Sequence, residues 1–438
     1  MNSRFSHAWQ ALRHRNFQLF FFGQGISLVG SWITRVATTW LVYRLTHSAL
    51  LLGVVGFCGQ ITSFLLGPLA GAWVERMPRR ELLLWTQCAA AVQSLALAAL
   101  TLSHRITLVE IVALSALQGV INAFDAPGRH SFLIQMVDDR ADLGNAIALN
   151  SALANGGRFI GPALAGLLIA AVGEGWCFFI DGISYIAVIA SLAMMRLRPA
   201  EPQRAHAGIL EQLREGWNYV RGSLPIRTVL ILFCVLSLIG YSFSVLLPVF
   251  AAQVLHGNAR TLGWLSSASG AGALASAISL TLRKGIHGLP RALQIATAVL
   301  GCGLIALGFS HSLWLSMFLL VCVGFGVMQA ATITNTVIQS LVPEDKRARV
   351  LSYYATAFFG AAPFGNLFAG ALAHRIGAPP TVMLCGASCL AAALWYTARM
   401  ARIQASLPAR TASGDSTSSP SVSTLTVRSS DRKESPCL

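Results

Sequence analysis

A few residues able to do chemistry lie inside stretches of this sequence that are otherwise oily: Arg35, Glu110, Arg158 and Asp181. A guanidinium near the middle of a bilayer costs about +2.5 to +3.5 kcal/mol on insertion scales. That is too much for an indifferent lipid-facing position, so Arg35 and Arg158 are expected to face a polar cavity. Arg35 and Glu110 both fall slightly to the same side of the middle of their apolar runs, which makes them an expected pair. A carboxyl in a partly dry cavity can gain and lose a proton as its surroundings change. Glu110 is therefore the first candidate for proton coupling and Asp181 the second.

Around these charges, amides and hydroxyls recur at alternating spacings of three and four, which places each set on one helix face. The sets are Gln24, Ser27, Ser31, Arg35 and Thr38; Gln118, Asn122 and Asp125; Ser151, Asn155 and Arg158; Ser237, Tyr241 and Ser244; and Gln329, Thr332, Thr336 and Gln339. A single such stripe is explained by hydrogen bonding between helices. Several together point to a shared wet cavity, with Gln24, Ser31, Arg35, Gln118, Asn122, Asn155, Arg158, Tyr241, Gln329 and Thr332 as its expected lining.

The stretch GRFIGPALAG, Gly157 to Gly166, sets glycines and a proline beside Arg158. Gly157, Gly161 and Ala165 repeat every four residues and leave a nearly bare face for a neighbouring helix. Arg158 lies about 100° away on the face of Ser151 and Asn155. Pro162 has no N–H to offer the carbonyl of Arg158, which frees that acceptor and permits a bend.

The elements that position these residues follow from composition. Of 438 residues, 55% are hydrophobic and 11% charged, against about 25% charged in soluble domains, so the chain is expected to be an all-α membrane protein. Runs long enough to cross a bilayer occur at about 17–42, 49–74, 81–102, 106–125, 144–172 and 175–195, then 227–252, 260–282, 291–310, 312–338, 349–374 and 379–399. The first run is too long for a signal-peptide core. A charged linker at 196–226, with Ile209, Leu213, Trp217 and Val220 at helical spacing, separates a half at 17–195 from a half at 227–400. Residues 1–16 form a basic N-terminal segment, and the Ser- and Thr-rich stretch 401–438 is expected to be a disordered tail. A shift of 204 residues brings Gly161, Ala165 and Gly166 onto Gly365, Ala369 and Gly370, as a six-plus-six duplication would.

The net charge of +15 has a topological origin. Arg44, Arg105, Arg260 and Arg375 are the basic residues in loops on one side, and Arg35 and Arg158 lie within spans; the other basic residues all fall on the opposite side. This bias places both termini in the cytoplasm and leaves nucleic acid unneeded. The nine cysteines show no metal-ligand spacing. No Gly-Lys dipeptide occurs, so no phosphate-binding loop for ATP is encoded, and the ten histidines, mostly in loops, show no enzyme pattern.

GRFIGPALAG resembles the fifth-helix motif G-x-x-x-G-P-x-x-G-G of major facilitator superfamily exporters, with Ala165-Gly166 at its end. GAWVERMPRR, Gly71 to Arg80, resembles the superfamily's loop motif G-x-x-x-D-R-x-G-R-R, with Glu75 for Asp and Pro78 for Gly. NFQLFFFGQGISLVGSWITRVATTWLVYRLT, NAFDAPGRHSF and LREGWNYVRG are similar to the branch with enterobactin exporters and macrolide efflux proteins. The resemblance implies a monomeric, multi-pass protein of a bacterial inner membrane, without cofactor or metal, that exports a siderophore-like or drug-like molecule by proton antiport. It also implies a cytoplasmic gate of Gly71, Glu75, Arg76, Arg79, Arg80 and Asp125, with Glu75 at the N-terminus of the eleventh helix and Arg76 or Arg79 reaching Asp125. An importer, or a carrier of lysophospholipids or other metabolites, is the alternative; a membrane-embedded protein that does not transport is a more distant one.

Overall fold

A computed structural model describes residues 10–74, 77–137, 142–196, 209–281 and 288–406. These residues are helical throughout. The long helices are α1 (Arg15–Thr46), α2 (Ala49–Val74), α3 (Arg79–Leu102), α4 (Leu108–Leu133), α5 (Leu143–Val172) and α6 (Glu174–Met194), followed by α7 (Leu224–Val254), α8 (Ala259–Thr281), α9 (Leu289–Gly308), α10 (Leu313–Leu341), α11 (Arg349–Ile376) and α12 (Ala378–Ser406). Ten are long and apolar enough to cross a membrane. The other two are α1, which carries Arg15, Arg35 and Arg44, and α8, which is built largely of Ser, Gly and Ala. The expected tail lies outside the described residues beyond 406.

The packing repeats with a step of six helices. In the first half α1 packs on α5 and α6, α3 on α4 and α6, and α2 on α4; in the second, α7 packs on α11 and α12, α9 on α10 and α12, and α8 on α10. The same rule relates the two contacts that join the halves, α5 on α8 and α11 on α2. The linker helix Ile209–Gly222 belongs to the second half, where Glu215 pairs with Arg349 and the Trp217 ring lies 5.9 Å from that of Tyr353.

Glycine makes the two joining contacts possible. A Cβ on Gly263 would stand 2.7 Å from the Pro162 carbonyl oxygen and 2.8 Å from Gly166 Cα; one on Gly53 would stand 2.6 Å from the Asn366 carbonyl oxygen and 3.2 Å from Gly370 Cα. Gly166 and Gly370, and likewise Pro162 and Asn366, are related by the shift of 204 residues seen in the sequence. Both crossings lie toward the end of the bundle where α1 gives way to α2. Nearer midspan Ser267 Oγ donates to the Phe159 carbonyl at 2.8 Å, and a Cβ on Gly270 would stand 2.4 Å from the Arg158 carbonyl oxygen. That oxygen is the acceptor freed by Pro162, so the proline and the facing glycine form one contact. Toward the opposite end Asn122, Ser151 and Gln339 are exposed, and the space between the halves opens there.

The remaining motif glycines serve α1. A Cβ on Gly161 would stand 2.4 Å from Trp32 Cβ and one on Gly157 2.9 Å from Leu28 Cγ, whereas Gly156 has nothing within 4 Å. Gly161→Ala is expected to lower stability by about 1–3 kcal/mol through overpacking, and Gly156→Ala to leave it unchanged or raise it by up to about 1 kcal/mol. Thermal melting of the detergent-purified pair checks this, and equal melting temperatures would contradict it.

Candidate functional site

The polar centre of the bundle is built on Trp32. Arg35, one turn along α1, and Arg158, from α5, both place their guanidinium carbons over its ring, at 4.9 and 5.4 Å from the centroid. Tyr241 of α7 lies within electrostatic reach of Arg158. Arg35 is deep among the helices and yet solvent-exposed, the combination that marks a cavity wall. No carboxylate pairs with either arginine among the described residues. Cation–π contact offsets part of the cost of holding them there, at about 0.5–2 kcal/mol each. The rest must come from water or a bound anion.

The second half contributes rings. Tyr241 and Phe358 meet edge to face with centroids 5.7 Å apart, and Phe233 stacks on Tyr354 at 4.7 Å and Phe358 at 5.7 Å. Tyr241 Oη donates to the Val327 carbonyl and Tyr354 Oη to that of Ala331, each at 3.1 Å. The helices that carry these rings are irregular. A π-helical turn at Leu236–Gly240 precedes Tyr241 in α7, and another at Thr356–Gly360 contains Phe358 in α11. Such turns break the regular hydrogen-bond ladder and re-aim side chains, often at functional sites.

Several expected site residues stand elsewhere. Gln24 is buried within the first half beside Gln87 and Arg129, because α1 turns that face toward α3 and α6. Gln329 is buried against α8, where its Oε1 accepts from Ser276 Oγ at 2.7 Å. Asn155 is buried and its amide donates to the Ser151 carbonyl; Thr332 bonds back to Met328. Gln329 thus joins two helices, as the blander reading of each stripe has it, while Asn155 and Thr332 bond within their own helices. Ser31 is half-buried, its hydroxyl 3.3 Å from Tyr185 Oη. Gln118 donates to Asn122, which is exposed.

The carboxylates divide similarly. Glu110 does not meet Arg35: it accepts the Thr107 backbone N–H at 2.8 Å and the Thr107 hydroxyl, which makes it the capping box of α4. Its place at a helix start, legible from the Thr-x-x-Glu spacing, explains its charge without a cavity. Asp181 is buried between α6, α3 and α1, where Ser94 Oγ donates to it at 3.0 Å.

At the opposite end, Asp125 pairs with Arg129 and accepts from Gln87 Nε2 at 2.7 Å and Thr86 Oγ1 at 3.1 Å. Arg79 instead donates to the Ser131 carbonyl at 3.3 Å, and Arg80 caps α6 through the carbonyls of Leu192 at 2.8 Å and Ala193 at 2.7 Å. The expected link from Arg79 to Asp125 is thus replaced by one within α4. All of these groups belong to the first half, so they brace α3, α4 and α6 together. Gly71 lies within α2, while Glu75 and Arg76 fall outside the described residues.

Trp32, Phe233, Tyr354 and Phe358 were not among the residues singled out from the sequence. The available signals were the one-turn spacing of Trp32 from Arg35 and the four-residue spacing of Tyr354 and Phe358.

The chain is 24% identical to the staphyloferrin A transporter of Staphylococcus aureus, over 88% of this chain and 97% of that protein. It is 27% identical to the multidrug efflux pump Tap of Mycolicibacterium fortuitum, over 81% of this chain and 88% of the pump. Macrolide efflux protein A of Streptococcus pyogenes is 20% identical over 85% and 94% of the two chains. Among solved structures, a bacterial homolog of the human lysosomal transporter Spinster, inward-facing and unoccupied, superposes with a TM-score of 0.69 at 13% identity, over 90% of this chain and 98% of that one. The model of the family described as transmembrane secretion effector matches residues 6–428, and the chain therefore belongs to that family of the major facilitator superfamily, as a multi-pass bacterial membrane transporter.

Proposed function

We propose that this chain is a secondary active exporter of an anionic small molecule, worked by proton antiport and alternating access. The carrying observation is the pair of guanidinium groups on Trp32, unpaired by any described carboxylate and facing the rings of the second half. A wall with two fixed positive charges favours a ligand that brings negative charge. An aromatic wall opposite favours one that also carries flat or apolar surface. The name of the staphyloferrin A transporter supports a siderophore-like cargo, and those of the drug and macrolide pumps support the outward direction.

All the long helices cross the membrane in this reading, with both termini in the cytoplasm, as the basic loops require. The α1–α2 end is then outside, and the glycine crossings close the outer side while the cavity faces the cytoplasm. Substrate enters there or from the inner leaflet. Rocking of the halves parts the two crossings and releases it outside. The cluster of Asp125, Arg129, Thr86 and Gln87 keeps the first half rigid during that motion.

Arg35→Ala and Arg158→Ala are each expected to reduce export about tenfold or more, the loss of one charge-assisted contact. Comparing cytoplasmic and secreted metabolites of a deletion strain complemented with each variant measures this; normal secretion by both variants would overturn the site.

Arg158→Cys, in a chain cleared of other reactive cysteines, is expected to react with an impermeant thiol reagent in everted vesicles. Labelling from neither membrane face during turnover would remove the cavity. Accumulation of substrate only in right-side-out vesicles would favour import instead.

A further inference from the structure

The carboxyl of Asp181 occupies a pocket that the substrate site does not use. It lies midway along α6, 2% exposed, between Ser94 of α3, Ser184 one turn on, and Gly30 of α1. No cation pairs with it among the described residues. Tyr185, on its own helix, is within electrostatic reach of it; α1 brings the Thr34 hydroxyl and α3 that of Ser94, and α1 packs so closely that a Cβ on Gly30 would stand 2.7 Å from Asp181 Oδ1.

Counting hydrogens shows what the pocket accepts. A serine hydroxyl has one hydrogen. That of Ser94 is claimed by the Phe178 carbonyl at 2.9 Å as well as by Asp181 Oδ2 at 3.0 Å. That of Ser184 points to the Asp181 carbonyl at 2.7 Å, with Oδ1 a distant 3.5 Å. An ionised carboxylate therefore competes with two main-chain carbonyls for two hydrogens. A neutral acid completes the network, its O–H donating to Ser94 Oγ while Ser94 serves Phe178. Thr34 of α1 presents its buried hydroxyl to the same carboxyl, near enough to act on it but without the geometry of a completed hydrogen bond. It is a spare donor that an ionised Asp181 would recruit if α1 shifted. Tyr185 Oη and Ser31 Oγ, 3.3 Å apart, lead from this pocket to the face of α1 that carries Arg35.

We infer that Asp181 is the proton-carrying group of the transport cycle, held between α1, α3 and α6 so that its ionisation shifts α1. The inference rests on the proton-antiport reading above. One proton adds to the carboxylate from outside, the neutral acid stabilises the arrangement described here, and loss of that proton to the cytoplasm favours outer opening. The wall that holds substrate and the pocket that holds the proton thus share helix α1, and coupling is a contest over its position.

Nitroxide labels at exposed positions 147 of α5 and 341 of α10, on the full-length chain cleared of other reactive cysteines, report opening of that end without any substrate. The distance between them is expected to shift from long at pH 5 toward short at pH 9. Asp181→Asn should hold the long distance at pH 9, while Glu110→Gln keeps the wild-type response. A wild-type pH response in Asp181→Asn would overturn the inference. A wild-type protein without any pH response would overturn proton antiport itself and this inference with it. Should Asp181→Asn fail to fold, Ser94→Ala serves: a midpoint displaced by about half a pH unit or more supports the role, and an unmoved one overturns it.

Discussion

One indole carries two like charges. Trp32 lies under both Arg35 and Arg158, and the magnitudes show why this contact governs the rest. Two cation–π contacts return about 1–4 kcal/mol, whereas placing two guanidinium groups at membrane depth costs about 5–7 kcal/mol on insertion scales. With no described carboxylate to pair them, the difference falls to water or to an anion, and the helices must leave room for it. The glycine motif of α5 follows from the same contact: Gly161 leaves the space in which Trp32 sits, and Pro162 and Gly166 turn the opposite side of the helix toward α8. Arg158 is carried between those two faces.

Closure at the α1–α2 end of the bundle is made twice from the same device. Helices α5 and α8 cross at Gly166 and Gly263, and α11 and α2 at Gly370 and Gly53. In lipid there is little hydrophobic drive to press helices together, so close backbone approach and dispersion must supply the contact. Such contacts are short-ranged and without charge. The two equivalent crossings must part together for that end to open. The hydrogen bond from Ser267 to the Phe159 carbonyl lies nearer midspan, where rocking of the halves separates the helices least.

How much of this was legible in the sequence depended on whether the signal was local. Hydropathy located the helices, and the 204-residue shift picked out Gly166 and Gly370, because helix length and backbone approach leave marks in single segments. The bare glycine face beside Arg158 was legible for the same reason, but not the Trp32 ring on which Arg158 rests. Side-chain destinations were not. Gln24 and Gln329 share a stripe with cavity residues, yet a helix in a bundle touches neighbours on nearly every side, and a three-four spacing does not say which neighbour a stripe meets. Glu110 was misread because its distance from Arg35 along two unrelated helices was weighed above its three-residue distance from Thr107. Of the aromatic wall only Tyr241 was read from its stripe; Phe233, Tyr354 and Phe358 were missed because π-helical turns in α7 and α11 break the periodicity by which a face would be read.

The two walls differ in kind, and the difference bears on how one architecture serves unlike cargo. Arg35, Trp32 and Arg158 stand on regular helices whose mutual position is set by glycine contacts. Their geometry has little freedom. Tyr241 and Phe358 instead follow or occupy π-helical turns, where the backbone has already left its regular hydrogen bonding and a small change of register re-aims a ring. On the proposed function, charge would be read by the stiff wall and shape by the adjustable one. Selection for a different cargo of the same charge would act on α7 and α11 and leave α1 and α5 alone, whereas a change in cargo charge would have to displace Arg35 or Arg158, and with them the reason for the glycines that seat Trp32.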